Sequence, residues 1–148
     1  MSTIKVDTYL TRGGVSEIAI DKLKGASSAG SMTVVGEGGS TTTNLQQGLL
    51  KAWGNFDGSG TVGTNDSFNM DSLTDNSTGN YTINITNDLA NNHGCMSGYS
   101  IMDGLCYGDS SNVSSAGSFR MRLVVGHNNT LADGDEFHVQ IAGDLHNG

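Results

Sequence analysis

Asp75-Asn76-Ser77-Thr78-Gly79-Asn80-Tyr81-Thr82-Ile83-Asn84-Ile85-Thr86 is the stretch that decides the fold. Its first five residues are turn formers. From Tyr81 onward apolar and polar residues alternate, with Tyr81, Ile83 and Ile85 on one side and Thr82, Asn84 and Thr86 on the other. A period of two marks a strand with one face in the core and one in water. Working outward, similar strand signals recur at 49–56, 61–64, 67–70, 93–102, 119–125 and 136–142, separated by Gly/Asn/Asp turns such as Asp57-Gly58-Ser59-Gly60. Segments 44–50 and 87–90 read as single helical turns. Evenly spaced short strands of this kind predict an all-β domain, a β-sandwich or jelly-roll-like fold.

Within 49–56, Leu50, Ala52 and Gly54 share one face and Lys51, Trp53 and Asn55 the other. Trp53 is expected to fill the core, because large aromatics dominate small cores; the alternative reading is an exposed ring that stacks on a sugar or on a neighbouring subunit.

The N-terminal region has a different texture. Ile4, Val6, Thr8 and Leu10 alternate along one strand, and Ile18 and Ile20 along a second, with Arg12-Gly13-Gly14 between them. A β-hairpin over 3–21 follows, and a hairpin alone is not stable in water. Residues 25–44 read GASSAGSMTVVGEGGSTTTN, where only Met32-Thr33-Val34-Val35 has strand character. Residues 1–43 are therefore read as an arm that packs on the rest of this chain or on another subunit, an assembly surface carried by Ile4, Val6, Tyr9, Leu10, Ile18 and Ile20. Residues 44–148 form the sandwich domain.

Composition narrows the function. The chain of 148 residues has 7 basic and 15 acidic side chains, a net charge of −8 that disfavours nucleic-acid binding. Gly, Ser, Thr and Asn make 67 of 148 residues and Pro is absent, so turns rest on Gly, Asn and Asp. Leu, Ile, Val and Phe make only 31 of 148, barely enough for a core, so help from oligomerisation is expected. No apolar run has the length of a membrane span, and no secretory signal is expected from the N-terminal sequence. Six Asn-x-Ser/Thr triplets, at Asn65, Asn76, Asn80, Asn84, Asn112 and Asn128, are then best read as chance products of composition.

Chemistry-bearing residues are sparse. His93, His127, His138 and His146 show no i, i+4 zinc-protease spacing, and no Gly-x-Ser-x-Gly elbow accompanies them. His138 alternates with Phe137 and Val139 on a strand. Cys95 and Cys106 allow three readings: free buried thiols, a bridge between neighbouring strands, or a metal site with His93. The missing signal favours the thiols. Asp57-Gly58-Ser59-Gly60-Thr61-Val62-Gly63 starts like a calcium loop but has Val62 where Gly is required, and Asp133-Gly134-Asp135-Glu136 is a second acidic turn. Both are read as solvated turn carboxylates. No catalytic residue, cofactor or metal is assigned. Tyr107, flanked by Asp103 and Asp109 in a Gly-rich stretch, is the best candidate for an exposed aromatic in a ligand-contact loop.

Three stretches carry a resemblance. Ser2-Thr3-Ile4-Lys5-Val6-Asp7-Thr8 resembles the start of many structural and tail-fibre-like proteins of marine bacteriophages, cyanophages among them. Leu50-Lys51-Ala52-Trp53-Gly54-Asn55-Phe56-Asp57-Gly58-Ser59-Gly60, then Ser67-Phe68-Asn69 and Asp75-Asn76-Ser77-Thr78-Gly79-Asn80-Tyr81, is similar to a module repeated in those proteins. Val139-Gln140-Ile141-Ala142-Gly143-Asp144-Leu145 resembles their usual ending. Gly54 stands where the family more often has a larger residue. The resemblance implies a non-enzymatic virion protein, made in the bacterial cytoplasm, that is tail-fibre-like or another surface appendage. It implies self-association, as a trimer, contact with other capsid or tail proteins, particle attachment or oligomerisation through the 1–43 arm, and a host cell-surface glycan as a possible partner. Neither nucleic-acid binding nor membrane insertion is expected. A capsid decoration protein is the alternative, and a carbohydrate-binding module ranks behind both.

Overall fold

The computed structural model describes residues 21–23, 25, 31–101, 104–108, 115–125 and 130–144. The arm residues Ile4, Val6, Tyr9, Leu10, Ile18 and Ile20 lie outside the described residues, as do Asp103, Asp109, His127 and His146.

The chain is an all-β, sandwich-like domain. Among the described residues a small hairpin comes first: β1 (Thr33–Val35) pairs antiparallel with β2 (Thr42–Asn44). Sequence reading anticipated β1 and missed β2, whose Thr-Thr-Asn carries no apolar alternation. One helical turn, α1 (Leu45–Gly48), follows as expected, with Asn44 Oδ1 accepting from the Gln47 amide at 3.1 Å. The Lys51 ammonium closes its far end by donating to the carbonyls of Gln46 and Leu49. Burial holds Lys51 below the usual lysine range, with Asp144 pulling the other way.

The remaining strands are β3 (Ala52–Asp57), β4 (Gly63–Phe68), β5 (Met70–Ser77), β6 (Asn80–Ile85), β7 (Cys95–Ser100), β8 (Gly104–Gly108), β9 (Ser118–Val125), β10 (Thr130–Leu131) and β11 (Phe137–Ala142). They form one antiparallel sheet in the order β4-β3-β11-β7-β8-β9-β6-β5, with β10 added to β9. The sheet curls until its two outermost strands, consecutive in the chain, come together, and β5 touches both β4 and β3.

Asn69 makes that corner. It adopts φ 56°, a left-handed conformation that Asn tolerates better than most residues. Its Nδ2 donates to the carbonyls of Lys51 (2.8 Å) and Asn87 (3.2 Å). Its Oδ1 accepts from the backbone and side-chain nitrogens of Asn87 at 2.8 and 2.9 Å. One side chain thus ties the start of β3 to the segment leaving β6.

The alternation read at Tyr81–Ile85 is the observed one: Tyr81, Ile83 and Ile85 are buried. Facing them are Phe119, Met121 and Leu123 of β9, with Tyr81 opposite Met121 and Ile83 opposite Phe119. Phe137, Val139 and Ile141 of β11 and Ala52 and Phe56 of β3 complete the interior. Its centre is aromatic. The Phe137 ring lies 5.0 Å from Tyr81, nearly parallel, and 5.3 Å from Phe56. Gly54 leaves the space that the Phe56 ring occupies: a Cβ there would come within 2.4 Å of Phe56 Cζ.

Several boundaries differ from the sequence reading. Of the segments 61–64 and 67–70, Gly63, Thr64, Ser67 and Phe68 belong to β4 and Met70 opens β5, with Asn69 between them, while Thr61 and Val62 precede β4. Asp75, Asn76 and Ser77, expected in a turn, are the end of β5, and the turn is only Thr78-Gly79, with Gly79 at φ 61°. No helical turn forms at 87–90. Leu89 is instead extended and buried, its amide bonded to the Ala116 carbonyl at 3.0 Å. Among the described residues no helix is long and apolar enough to cross a membrane.

Candidate functional site

Trp53 is not in the core. Ala52, Gly54 and Phe56 face inward on β3, so the intervening Trp53 must face outward, and it is 37% exposed. This corrects the expectation that its ring fills the interior. The core role belongs to Phe56 and Phe137.

Register then places a row of side chains on the outer face. Trp53 sits opposite Phe68 on β4 and Gln140 on β11, and Gln140 sits opposite Ser97 on β7. One step along, Asn55 pairs with His138, His138 with Tyr99, and Tyr99 with Leu105 of β8. Phe68, Tyr99 and Leu105 are each more than half exposed. Trp53 and Tyr99 are two strands and two residues apart, roughly 12 Å between Cα atoms by standard strand geometry. Between them runs a groove of about 510 Å³, walled by Leu50, Trp53 and Tyr99 and floored by the backbone of Gly54, Gly98 and Val139.

The polar groups of this face are organised among themselves. Gln140 Nε2 donates to Ser97 Oγ at 3.0 Å. Asn55 Nδ2 donates to Glu136 Oε1 at 2.7 Å, and His138 Nε2 lies 3.3 Å from the same oxygen. The His138 ring stacks on Tyr99 with centroids 4.7 Å apart and planes 15° off parallel. Gln140, Asn55, His138 and Tyr99 are therefore oriented before any ligand arrives.

No known protein family, curated protein or solved structure matches this chain. The face must be read from its own chemistry.

Tyr107 lies on strand β8 and not in a loop, opposite Arg122 of β9, and its side chain is partly exposed on the sheet. The Gly-rich stretch around it misled the reading: Gly104 permits close strand approach, since a Cβ there would meet the Val124 carbonyl oxygen at 2.9 Å. Cys106 is buried and Cys95 exposed, and both are free. Cys106 pairs opposite Gly98, three residues beyond Cys95 on β7. Burial pushes the Cys106 thiol up to about 12. Among the described residues no three His, Cys, Asp or Glu side chains gather as a metal site.

The two acidic turns have structural work. Asp57 Oδ1 accepts from the amide and hydroxyl of Ser59, both at 2.8 Å, and these bonds hold its carboxyl below the usual range. Asp133 Oδ1 accepts from the Tyr81 hydroxyl at 2.8 Å and the Gly79 amide at 2.7 Å.

Sequence reading took Trp53 and His138 singly and missed that they converge with Tyr99 on one face. The signal available was phase: once Phe137, Val139 and Ile141 face inward, His138 and Gln140 must face out. That β11 lies between β3 and β7 is a long-range pairing that no local pattern carries.

Proposed function

We propose that the chain is a structural protein of a bacteriophage particle, tail-fibre-like or another surface appendage, and that it acts by binding and not by catalysis. The observation that carries the binding role is the outer sheet face on which the exposed pairs Phe68–Trp53 and Tyr99–Leu105 stand either side of Gln140, Ser97 and His138. Large exposed apolar side chains gathered on one face and rimmed by polar groups mark an interaction site. The phage setting rests on the sequence resemblance, and the Gly/Ser/Thr/Asn-rich all-β domain suits it. The thin core supports assembly into a symmetric oligomer, a trimer by resemblance, alongside other capsid or tail proteins.

Capsid decoration is the second reading. It is favoured by the β1–β2 hairpin, a sheet separate from the main one, on which Val34 and Val35 are about half exposed. Such a strand pair could lie against a shell.

Immunogold labelling of purified particles tests both. Label at the tail supports the appendage, label over the head supports decoration, and unlabelled particles overturn the virion assignment.

A further inference from the structure

We propose that the groove between Trp53 and Tyr99 is a binding site for an uncharged oligosaccharide. This deepens the preceding reading and rests on it in one respect, that the outer face is the contact surface.

Three features of the groove select that ligand. The first is the pair of aromatic walls. A pyranose ring presents an apolar C–H face that packs on a flat aromatic, and Trp and Tyr combine such a face with a polar tip. The His138 ring stacks on the side of Tyr99 that looks toward β11, so the second wall is the stacked His138–Tyr99 pair.

The second is the polar ladder between the walls. The Gln140–Ser97 bond uses an amide N–H and one hydroxyl lone pair. Gln140 Oε1 and the Ser97 O–H are left as an acceptor and a donor side by side. One row away, the Glu136 carboxylate, engaged through Oε1 by Asn55 and His138, keeps a second acceptor oxygen. Alternating donors and acceptors on rigid strands match vicinal sugar hydroxyls. An apolar peptide would leave them unpaired at a cost.

The third is charge. Among the described residues no Lys or Arg lines the groove, Glu136 and Asp66 flank it beside Asn55, and the chain carries −8 overall. A phosphate, a nucleic acid or an acidic sugar would meet repulsion without a compensating cation. A second copy docked face to face would press the same carboxylates together. An uncharged polyol meets neither penalty. A single shallow groove of this size binds weakly, and repetition in an oligomer would raise the strength by avidity.

Trp53 is the single tryptophan of the chain, so its fluorescence reports the groove directly. The intact protein is screened against an array of neutral and acidic bacterial polysaccharides. It is then titrated with maltohexaose, cellohexaose, any neutral hit, and an oligogalacturonate as the acidic control. The expected result is a saturable change in Trp53 emission with at least one neutral saccharide and none with the oligogalacturonate. Tyr99→Ala and Gln140→Ala, checked for unchanged melting, should each weaken that binding by about tenfold or more. Calorimetry on Trp53→Phe, which keeps an aromatic wall, should show weaker loss than Trp53→Ala.

The proposal is overturned if no neutral saccharide shifts the emission, if only acidic ones do, or if binding survives Trp53→Ala. It is also overturned if Trp53 becomes shielded from acrylamide as protein concentration rises, which would make the face a contact between copies. Labelled particles with no saccharide binding would sink this proposal alone. Saccharide binding with unlabelled particles would sink the virion assignment alone.

Discussion

Tyr81 and Asp133, 52 residues apart in the chain, are joined at 2.8 Å across the end of the core, the phenol donating to the carboxylate. The same oxygen accepts the amide of Gly79, whose left-handed turn starts β6. Tyr81→Phe removes the donor and keeps the ring stacked on Phe137. The expected loss is about 1–2 kcal/mol, read from urea unfolding. Burial, and then Asp133, push the Tyr81 hydroxyl above its ordinary value. A raised acid gives stability that is complete below the unfolded tyrosine pKa and lost as pH climbs past it. In an alkaline spectrophotometric titration Tyr81 should ionise together with unfolding and not before it.

Asn69→Ala should be more damaging than its partly exposed position implies. The variant loses the bonds to Lys51 and Asn87 and keeps a left-handed backbone without the side chain that tolerates it. The expected cost is about 2–4 kcal/mol. Asn69→Gly, which relieves the backbone, should recover about 1 kcal/mol of that. Equal melting temperatures for the two variants would show that the backbone conformation costs nothing.

Trp53→Ala should lower stability by about 1 kcal/mol or less, since the ring lies on the outer face. Phe137→Ala, at the aromatic centre, should cost about 3–5 kcal/mol. The two melting curves, side by side, separate face from core.

The two thiols should differ sharply. Cys106 is buried, with its thiol pushed up to about 12, whereas Cys95 is exposed. A disulfide-exchange reagent at mildly alkaline pH should titrate one thiol per folded chain quickly and the second only in denaturant. Rapid reaction of both in the native protein would contradict the inward placement of Cys106.

Asp57 supplies an acid-side test. Its carboxyl is lowered by the Ser59 hydroxyl and amide, so its contribution is present above the unfolded aspartate pKa and lost as pH falls through the folded one. Asp57→Asn should flatten the fall of the urea midpoint between neutral and acidic pH. An unchanged acid limb would remove Asp57 from the account.

Local alternation was legible where a strand is buried on one face by side chains with clear polarity, as at Tyr81, Ile83 and Ile85. It misled at 49–56 because Trp53 outweighed the phase of its neighbours. Trp53 and Phe56 are three apart on one strand and cannot share a face, and Gly54, an apparent weak point, is what lets Phe56 turn inward. β8 was hidden because Gly104 and Gly108 resemble loop residues, although close packing against β9 is what Gly104 serves. β5 was hidden because a border strand facing water needs no apolar pattern, so Asp75-Asn76-Ser77 passed for a turn. The groove was the least legible feature, since its walls come from three strands that meet only through long-range pairing.

The corner at Asn69 has a consequence for crowding. A sheet normally ends in two strands with bare N–H and C=O groups, and each is a template for another chain to extend. Here those two strands are drawn toward one another, and both carry exposed carboxylates, Asp66 on one and Asp71 and Asp75 on the other. Copies held close together, at concentrations where flat-edged sheets would stack into fibres, are therefore expected to stay discrete and soluble.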